Sequence, residues 1–200
     1  MITLLDCGVS NLASVERALH RLGADSQRAT TPECLSNARA LLLPGVGHFA
    51  ALIRVLDYRK LRAPLVDAIR RGIPFLGICL GLQALYDTSE EAPELTGLQL
   101  LPGRVRALPP VAKLPHMGWN RLVTKHKSQL LEGVDADAYF YFAHTYAAME
   151  LGEETVAACN YGTEFVAVLE RENMCAVQFH PEKSGEAGAQ VLRNFLRLCA

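Results

Sequence analysis

The chain has 200 residues, of which 50% are hydrophobic and 7% aromatic, and its formal net charge at pH 7 is −1. A chain of this length buries a sufficient core by itself, so one domain over residues 1–200 is expected. The nearly balanced charge provides no basic surface for nucleic acid or for an anionic membrane, and no run is apolar and long enough to span a bilayer.

Six cysteines are scattered along the chain without a C-x-x-C pair. This spacing argues against a zinc site and against a disulfide framework, and it favours free thiols in a reducing compartment. Neither a metal nor a cofactor is expected. Met1-Ile2-Thr3 leads directly into a strand-like segment rather than a signal peptide, so a cytoplasmic location is predicted.

The first half of the chain alternates short apolar runs with segments of helical periodicity. Strands are predicted over residues 2–6, 25–29, 40–43 and 75–78, and helices over residues 12–22, 49–56, 64–72 and 80–86. Ser10 or Asn11 is suited to cap the first helix, and Gly23 to end it. The loop at residues 7–10 lacks G-x-G-x-x-G, so a dinucleotide site is not supported. The alternation predicts an α/β fold with a doubly wound, mostly parallel sheet and helices on both faces.

After Gly97 the pattern changes to strands joined by short turns. These strands are predicted over residues 104–108, 121–124, 138–143, 156–160, 165–170 and 174–179, and a helix over residues 186–198 follows. Because no linker or repeat separates the two halves, the strands are expected to extend or flank the same sheet as extra antiparallel strands.

A candidate nucleophile lies where the fourth predicted strand meets the next helix. The stretch Gly77-Ile78-Cys79-Leu80-Gly81 has a small residue on each side of a cysteine at a strand–turn–helix junction. This arrangement follows the logic of a nucleophile elbow, where the helix N-terminus favours a thiolate. The alternative is a buried core cysteine between two packing glycines.

A candidate base and its orienting group follow the last predicted strand. Among six histidines, only His180 comes directly after a clear strand, and Pro181 and Glu182 follow it. In extended backbone, residues two apart point the same way, so Glu182 can accept a hydrogen bond from the imidazole. The alternative is a His-Pro turn with a solvated glutamate. Together with Cys79 these residues predict a Cys-His-Glu triad.

These two motifs resemble those of the class I (triad) glutamine amidotransferases. The matching stretches are G-I-C-L-G-L-Q at residues 77–83 and Q-F-H-P-E at residues 178–182. The resemblance spans essentially the whole chain and leaves no room for a fused synthase domain. It therefore implies a separate glutaminase subunit that hands ammonia to a partner, with Cys79, His180 and Glu182 as catalytic residues.

Four further stretches are similar to the glutaminase subunits of imidazole glycerol phosphate synthases, which act in histidine biosynthesis. They are P-G-V-G at 44–47, P-H-M-G-W-N at 115–120, Y-F-A-H-T-Y at 141–146 and P-E-K-S-G at 181–185. Related amidotransferases of anthranilate and GMP synthetases usually carry Gly-Gly in the third-strand loop. Cys7 and Ser10 depart from the family pattern, and this affects only the first loop.

Hydrolysis of an amide creates a negatively charged tetrahedral oxygen, which needs preorganised N–H donors. The N–H of Leu80 is one candidate because it opens the helix after the nucleophile. The loop at residues 44–47 is expected to supply the other, and the resemblance points to Val46 or its neighbour Gly47. Glycines at positions 45 and 47 would let a peptide unit rotate between a resting and an active state. The alternative is an ordinary strand-to-helix turn.

The resemblance also implies a glutamine site formed by Gln83, Glu91, Thr145 and Tyr146. Glu91 is suited to the substrate ammonium, although it lies in an acidic run at residues 89–91 of the kind that is usually solvated. His144 is interpreted as structural rather than as a second base.

For a partner, the resemblance implies a (β/α)₈-barrel cyclase subunit and a heterodimer. Its predicted contact residues are Asn11, Ser14, Met117, Trp119 and Lys183. From the residues alone, Trp119 is either a core anchor or an interface aromatic, and Lys183 is either a reporter of the partner's state or an ordinary exposed lysine.

The resulting hypothesis is a glutaminase that forms a Cys79 thioester and releases ammonia into an enclosed path to the cyclase, whose ligand raises the glutaminase activity. The alternatives are another triad amidotransferase subunit, such as that of an anthranilate synthase, and a catalytically silent regulatory subunit. A Cys-elbow α/β-hydrolase is disfavoured because its acid precedes its histidine in the chain.

Overall fold

The computed structural model describes residues 1–8, 11–111 and 113–199, and a central sheet with two small sheets beside it dominates this part of the chain. The strands are β1 Ile2–Leu5, β2 Ser26–Ala29, β3 Leu41–Gly45, β4 Phe75–Cys79, β5 Tyr86–Ser89, β6 Leu101–Ala107, β7 His116–Arg121, β8 Val123–Thr124, β9 Tyr139–His144, β10 Tyr146–Ala148, β11 Thr155–Asn160, β12 Glu164–Arg171 and β13 Met174–Val177. The helices are α1 Leu12–Arg21, α2 Glu33–Ser36, α3 Phe49–Tyr58, α4 Arg62–Arg70, α5 Leu80–Gln83 and α6 Gly185–Leu198, with a 3₁₀ turn at Pro181–Lys183.

The central sheet has eight strands in the order β2-β1-β3-β4-β13-β12-β11-β8. The first five of these strands are parallel, and β12, β11 and β8 continue the sheet in antiparallel pairing. Every residue of β1, β3, β4 and β13 is buried, as expected of parallel strands covered on both sides. The predicted doubly wound α/β fold with extra antiparallel strands is therefore confirmed.

The two faces of the sheet contribute to two separate hydrophobic clusters. Leu41 and Leu43 of β3 belong to one cluster and Leu42 to the other, because successive side chains of a strand point to opposite faces. Helices α3 and α4 pack into the first cluster, and α1 and α6 into the second. Helices thus cover both faces, as predicted.

The first helix ends at its predicted glycine, but its N-cap residue forms no side-chain capping bond. Gly23 has a φ of +75°, and its N–H donates to the carbonyl of His20 at 2.9 Å, so it ends α1 as expected. Asn11 occupies the N-cap position without a capping hydrogen bond from its side chain, and Ser10 lies outside the described residues.

The helix predicted over residues 80–86 is too long. Helix α5 ends at Gln83, and Tyr86 begins strand β5, where it pairs with Leu101 of β6. Strand pairing that is distant in sequence overrides the helical spacing of these apolar residues. Helix α4 begins at Arg62, two residues before the predicted start at Pro64, and the short helix α2 was not predicted.

Some of the later strands form small sheets of their own. Strands β10, β6 and β5 form one, and the antiparallel pair β7–β9 forms the other. The strand predicted over 121–124 divides at Leu122, since β7 ends at Arg121 and β8 begins at Val123. Over the described ranges, none of the helices has the length and apolarity required to cross a membrane.

Candidate active site

Cys79 lies at a strained turn between β4 and α5. Its backbone has φ +54° and ψ −104°, a conformation that residues other than glycine rarely adopt. Such strain costs on the order of 1–3 kcal/mol and persists only where the surrounding structure enforces it. The strand–turn–helix geometry therefore matches the predicted elbow, and the side chain is 95% buried because only 5% of Cys79 is exposed.

Glycines enforce this turn by permitting close backbone approach. A Cβ at Gly81 would lie 2.0 Å from the carbonyl oxygen of Leu43, and one at Gly77 would lie 2.7 Å from the carbonyl oxygen of Gly81. A Cβ at Gly45 would lie 2.8 Å from Cβ of Leu80. Helix α5 thus packs directly onto the ends of β3 and β4, and any larger residue would push the turn out of place.

His180 and Glu182 follow strand β13, which pairs with β4 in parallel and places Val177 beside Ile78. The imidazole Nδ1 lies 3.0 Å from Oε1 of Glu182, and the two side chains are 2% and 3% exposed. Because an ionised carboxylate only accepts, Nδ1–H is the donor in this bond. The remaining ring nitrogen, Nε2, is buried and forms no hydrogen bond within the described residues, so it is free to act on the thiol.

Burial lowers the pKa of His180, but two opposing influences outweigh it. The charge and hydrogen-bonding capacity of Cys79 and the hydrogen bond to Glu182 together raise the pKa of His180 to about 10. These influences favour the doubly protonated, charged form of the His180 ring.

The turn that carries His180 is tied to strand β9. The backbone N–H of His180 donates to the carbonyl of Tyr141 at 2.9 Å, and the N–H of Tyr141 donates to Oγ of Ser184 at 3.0 Å. The Ser184 hydroxyl in turn donates to the carbonyl of His180 at 2.7 Å. The sequence reasoning assigned Ser184 no role, although a serine four residues after the base is well placed for such a local bond.

Gln178 is a second residue near the site for which the sequence indicated no role, although it belongs to the Q-F-H-P-E motif. Its Nε2 lies 3.5 Å from Sγ of Cys79, and its Oε1 lies 3.2 Å from Nε2 of Gln83. Nε2 of Gln83 also donates to the carbonyl of Tyr146 at 2.7 Å. Both N–H groups of Gln83 are used in these bonds, so its oxygen is the group left for a ligand.

A cavity of about 200 Å³ opens at the nucleophile. It is lined by Gly47, Cys79, Leu80, Gln83, Glu91, Pro115, Met117, Ala143, His144, Thr145 and Tyr146. The cavity thus brings together the predicted nucleophile and all four residues of the predicted glutamine site. Leu80 and Gly47 also line it, whereas Val46 does not and is 37% exposed. In the residues that the structure describes, no three His, Cys, Asp or Glu side chains are grouped as metal ligands.

Glu91 is half-buried rather than solvated, contrary to the usual behaviour of an acidic run. Its Oε2 accepts a hydrogen bond of 2.6 Å from the backbone N–H of Phe49, the first residue of α3. The loop at residues 46–48 leads into this helix, and Gly47 has a φ of +95°. Glu91 therefore connects the cavity to the helix that follows the predicted oxyanion loop.

His144 forms part of a buried, uncharged histidine pair. Its Nε2 lies 3.1 Å from Nδ1 of His116, and its Nδ1 donates to the carbonyl of Tyr146 at 2.9 Å. Burial lowers the pKa of His116 to about 4, and burial together with the neighbouring His116 lowers that of His144 to about 3. A ring that is neutral and bonded at both nitrogens supports the β9–β10 backbone, in keeping with the structural role predicted for His144.

The predicted partner residues lie at the surface near the triad. Met117 and Trp119 project from β7 and are 64% and 55% exposed. The Trp119 and Tyr141 rings are 5.9 Å apart, and Nζ of Lys183 lies 5.6 Å from the centre of the Tyr141 ring. Asn11, which is exposed, precedes α1, and Ser14, which is half-buried, lies in its first turn; this helix packs near the 3₁₀ turn of Lys183.

Comparison with known proteins places these features in a family. The model of the family "Glutamine amidotransferase class-I" matches residues 3–199. A protein from Methanothermobacter thermautotrophicus, named imidazole glycerol phosphate synthase subunit HisH, is 50% identical over 99% of this chain and 98% of its own. A HisH subunit from Moorella thermoacetica is 44% identical over 97% and 93% of the two chains. The chain belongs to the class I glutamine amidotransferases, among the HisH subunits.

Solved structures agree with this assignment at the level of the fold. The crystal structure of a glutamine amidotransferase aligns with this chain with a TM-score of 0.79 at 20% sequence identity. The alignment covers 99% of this chain and 98% of the chain in that structure. The family resemblance first seen in the motifs around Cys79 and His180 is confirmed by the family model, which matches residues 3–199.

Proposed function

We propose that this chain is the glutaminase subunit of an imidazole glycerol phosphate synthase. It hydrolyses glutamine to glutamate and ammonia, and passes the ammonia to a cyclase subunit that makes imidazole glycerol phosphate and aminoimidazole carboxamide ribonucleotide. The observation that carries the proposal is the parallel pairing of β4 with β13. It brings the strained Cys79 turn at the end of one strand next to the end of the other, which leads into an imidazole whose Nδ1 is held by Glu182. The HisH names of its relatives support the choice of synthase.

In the first half-reaction the Cys79 thiolate attacks the carboxamide carbon of glutamine. The carbonyl π electrons move to oxygen, and the N–H of Leu80 and an N–H of the 46–47 loop are suited to stabilise that oxyanion. His180 then donates its Nε2 proton to the amide nitrogen, the C–N bond breaks, and ammonia leaves. A glutamyl thioester on Cys79 and a neutral imidazole remain.

In the second half-reaction the neutral His180 removes a proton from water as the water oxygen attacks the thioester carbon. The C–S bond breaks, glutamate is released, and the imidazolium–thiolate pair is restored. Glu182 keeps the same Nδ1–H bond throughout and fixes which ring nitrogen exchanges protons. The raised pKa of His180 favours a charged ring at the start of the cycle, so the proton that the leaving nitrogen needs is already in place.

The cavity supports glutamine as the substrate. Glu91 offers a carboxylate for the substrate ammonium, Gln83 offers an amide oxygen, and Thr145 and Tyr146 offer backbone and side-chain groups at the edge of β10. A contact between the substrate ammonium and this half-buried carboxylate gives both affinity and selection against amides that lack the amino group.

The proposed partner is a (β/α)₈-barrel cyclase in a heterodimer, and the surface bearing Asn11, Ser14, Met117, Trp119 and Lys183 is the proposed contact. Tryptophan and methionine are residue types enriched at protein interfaces, and both are exposed here. Met117 both lines the cavity and is exposed, so ammonia leaving Cys79 is close to this surface. We also propose one domain over residues 1–200 and a cytoplasmic location, which the six free thiols favour.

The decisive experiment uses the chain assembled with its cyclase subunit and compares two nitrogen sources. Cys79→Ala is expected to abolish cyclisation with glutamine and to leave cyclisation with an ammonium salt near the wild-type rate. Cys175→Ala, a buried cysteine in the adjacent strand β13, is the matched control and is expected to retain both activities.

The same experiment separates the alternatives. A silent regulatory subunit predicts no glutamate release from the wild-type complex and no effect of Cys79→Ala. An amidotransferase of another synthase predicts glutamate release without cyclisation. Either result rejects the proposed function.

A further inference from the structure

Gln178 lies next to the nucleophile but has no part in the two half-reactions. It is fully buried, and its backbone N–H donates to the carbonyl of Ala167 at 2.9 Å, which fixes it at the end of β13. Its side chain lies between the Cys79 sulfur, 3.5 Å from Nε2, and the amide of Gln83, 3.2 Å from Oε1.

The direction of the Gln178 amide follows from its neighbours. The carbonyl of Tyr146 can only accept, so the group that Gln83 turns toward it, at 2.7 Å, must be its NH₂. The second N–H of that NH₂ is then available to Gln178, which must present its oxygen. This leaves the Gln178 NH₂ for the sulfur. One backbone carbonyl thus determines that Cys79 faces a hydrogen-bond donor rather than an acceptor.

A donor at this position matters because the sulfur is 95% buried and becomes negatively charged. A buried anion is costly unless hydrogen bonds replace its lost hydration, and bonds to an ionised acceptor are about twice as strong as neutral ones. The N–H of Gln178 is such a donor, and it remains in place while His180 gives up its proton to the leaving group.

We propose that Gln178 is a further catalytic residue, which donates a hydrogen bond to the Cys79 thiolate and holds the sulfur for attack. The proposal rests on the proposed function for its place in the cycle. Hydrogen bonds run from the Tyr146 carbonyl through the Gln83 amide and the Gln178 amide to the Cys79 sulfur. Each group in this series sets the orientation of the next.

Two isosteric substitutions separate this role from simple packing. Gln178→Glu keeps an oxygen that accepts from Gln83 but replaces the donor at the sulfur by a carboxylate. Gln178→Met fills the same space and loses both bonds. If the donor to sulfur is what matters, reactivity falls in the order wild type, Met, Glu. If the bond to Gln83 is what matters, Glu is closer to the wild type than Met.

The measurement is the rate of alkylation of Cys79 by iodoacetamide in the assembled complex without glutamine, followed by peptide mass spectrometry. Gln178→Met is expected to slow alkylation at pH 7.5 by about 10-fold, because it removes a hydrogen bond to a charged group, and such bonds are the strong ones. Gln178→Glu is expected to slow it by more, because it also places a carboxylate at the sulfur. Alkylation of the half-buried Cys34 in the same samples is the internal reference and is expected to stay constant. The turnover number with glutamine should fall in the same order, with a smaller change in KM.

Asn194→Leu controls for loss of a buried amide. Asn194 donates to the carbonyls of Leu130 and Glu132 at 2.8 Å, and it does not line the cavity, so its replacement is expected to lower stability without slowing Cys79 alkylation. If Gln178→Met does not fold, the rate of Cys79 alkylation in Gln178→Glu alone tests the proposal.

Alkylation at the wild-type rate in a folded Gln178 variant, or a Glu variant that is faster than Met, overturns the proposal. Because alkylation needs neither glutamine nor cyclisation, a wild-type complex without glutaminase activity rejects the proposed function and still leaves the role of Gln178 to be judged by its own result.

Discussion

The carbonyl oxygen of Tyr141 accepts a hydrogen bond of 2.9 Å from the backbone N–H of His180. The same residue presents its ring to Trp119 and Lys183, both of which are exposed. One residue therefore contacts both the proposed partner surface and the backbone of the proposed base. A shift of β9 when a partner docks would move His180 directly, without passing through the rest of the fold.

Ser184 gives a test of this connection. Ser184→Ala removes the hydroxyl that joins the N–H of Tyr141 to the carbonyl of His180, at an expected cost of about 1–3 kcal/mol in unfolding free energy because a buried N–H loses its partner. We expect the turnover number for glutamine to fall about 10-fold with little change in KM, measured by glutamate release from the assembled complex.

The matched control is Ser128→Ala. Ser128 also accepts from a backbone N–H, that of Leu131 at 2.9 Å, and bonds to a carboxylate, but it does not line the cavity. It is expected to lose stability with an unchanged turnover number. Equal turnover in both variants and the wild type would contradict a role for Ser184 in positioning His180.

Glu91 and its neighbour Glu90 form a natural pair for testing the ammonium site. Glu91→Gln keeps an oxygen for the N–H of Phe49 but removes the negative charge, so we expect KM for glutamine to rise about 10- to 100-fold with little loss of stability. Glu90→Gln also keeps an oxygen for a backbone N–H, that of Ala107, outside the cavity, and should leave KM unchanged. Initial-rate kinetics on the complex measures both, and an unchanged KM in Glu91→Gln would remove Glu91 from the substrate site.

Replacing an elbow glycine by alanine is expected to cause an unusually large loss of stability. In Gly81→Ala the new Cβ would overlap the carbonyl oxygen of Leu43, 2.0 Å away, and α5 would have to move off β3. We expect a loss of about 3 kcal/mol or more in urea unfolding, together with loss of glutaminase activity.

Gly23→Ala serves as the reference because Gly23 has a positive φ, +75°, and no heavy atom within 4 Å of the added Cβ. Its expected cost is about 1–2 kcal/mol from backbone conformation alone, with activity retained. If the two variants are equally stable, close packing does not enforce the turn.

The histidine pair predicts that stability falls in mild acid. Burial lowers the pKa of His116 and His144 to about 4 and about 3, whereas the unfolded chain binds these protons near pH 6.5. The unfolded state therefore binds more protons between these values, so the stabilisation is complete above about pH 6.5 and is lost as pH falls. His180 acts in the opposite sense, contributing stability below pH 6.5 that is lost as pH rises toward 10.

His116→Phe tests the sign and size of this effect. Phenylalanine keeps the stacking on Phe142 and Tyr161, at centroid distances of 4.8 and 3.9 Å, but cannot take a proton. Between pH 7 and pH 5 the wild type should lose about 2 kcal/mol more unfolding free energy than the variant, measured by urea titration at each pH. The same loss in both proteins would show that His116 does not contribute.

Local signals in the sequence were sufficient for the parts of the fold that depend on neighbouring residues. The apolar runs of β1, β3 and β4, the Gly23 helix stop and the Cys79 turn each lie within a few residues of the pattern that predicts them. Tyr86, the first residue of strand β5, was wrongly predicted as helix because it pairs with Leu101 of β6, 15 positions away, and periodicity cannot register such a contact.

The candidate site divides in the same way. Cys79, His180 and Glu182 carry motifs, and Gln83, Glu91, Thr145 and Tyr146 followed from the resemblance, so all could be named in advance. Gln178 could not be given a role, because its contacts with Cys79 and Gln83 arise only when β13 lies beside β4. The mutual orientation of two amides and a thiol is a property of three segments together.

The insertion of β13 between β4 and β12 also governs when the site can exist during synthesis. The strand that ends at the nucleophile acquires its second neighbour only after residues 174–177 have left the ribosome, roughly a hundred positions later. Until then β4 has an open edge, and Cys79 has neither its imidazole nor the Gln178 amide beside it. A chain that stops before residue 174 therefore lacks the assembled site, and its open β4 edge is a surface prone to aggregation.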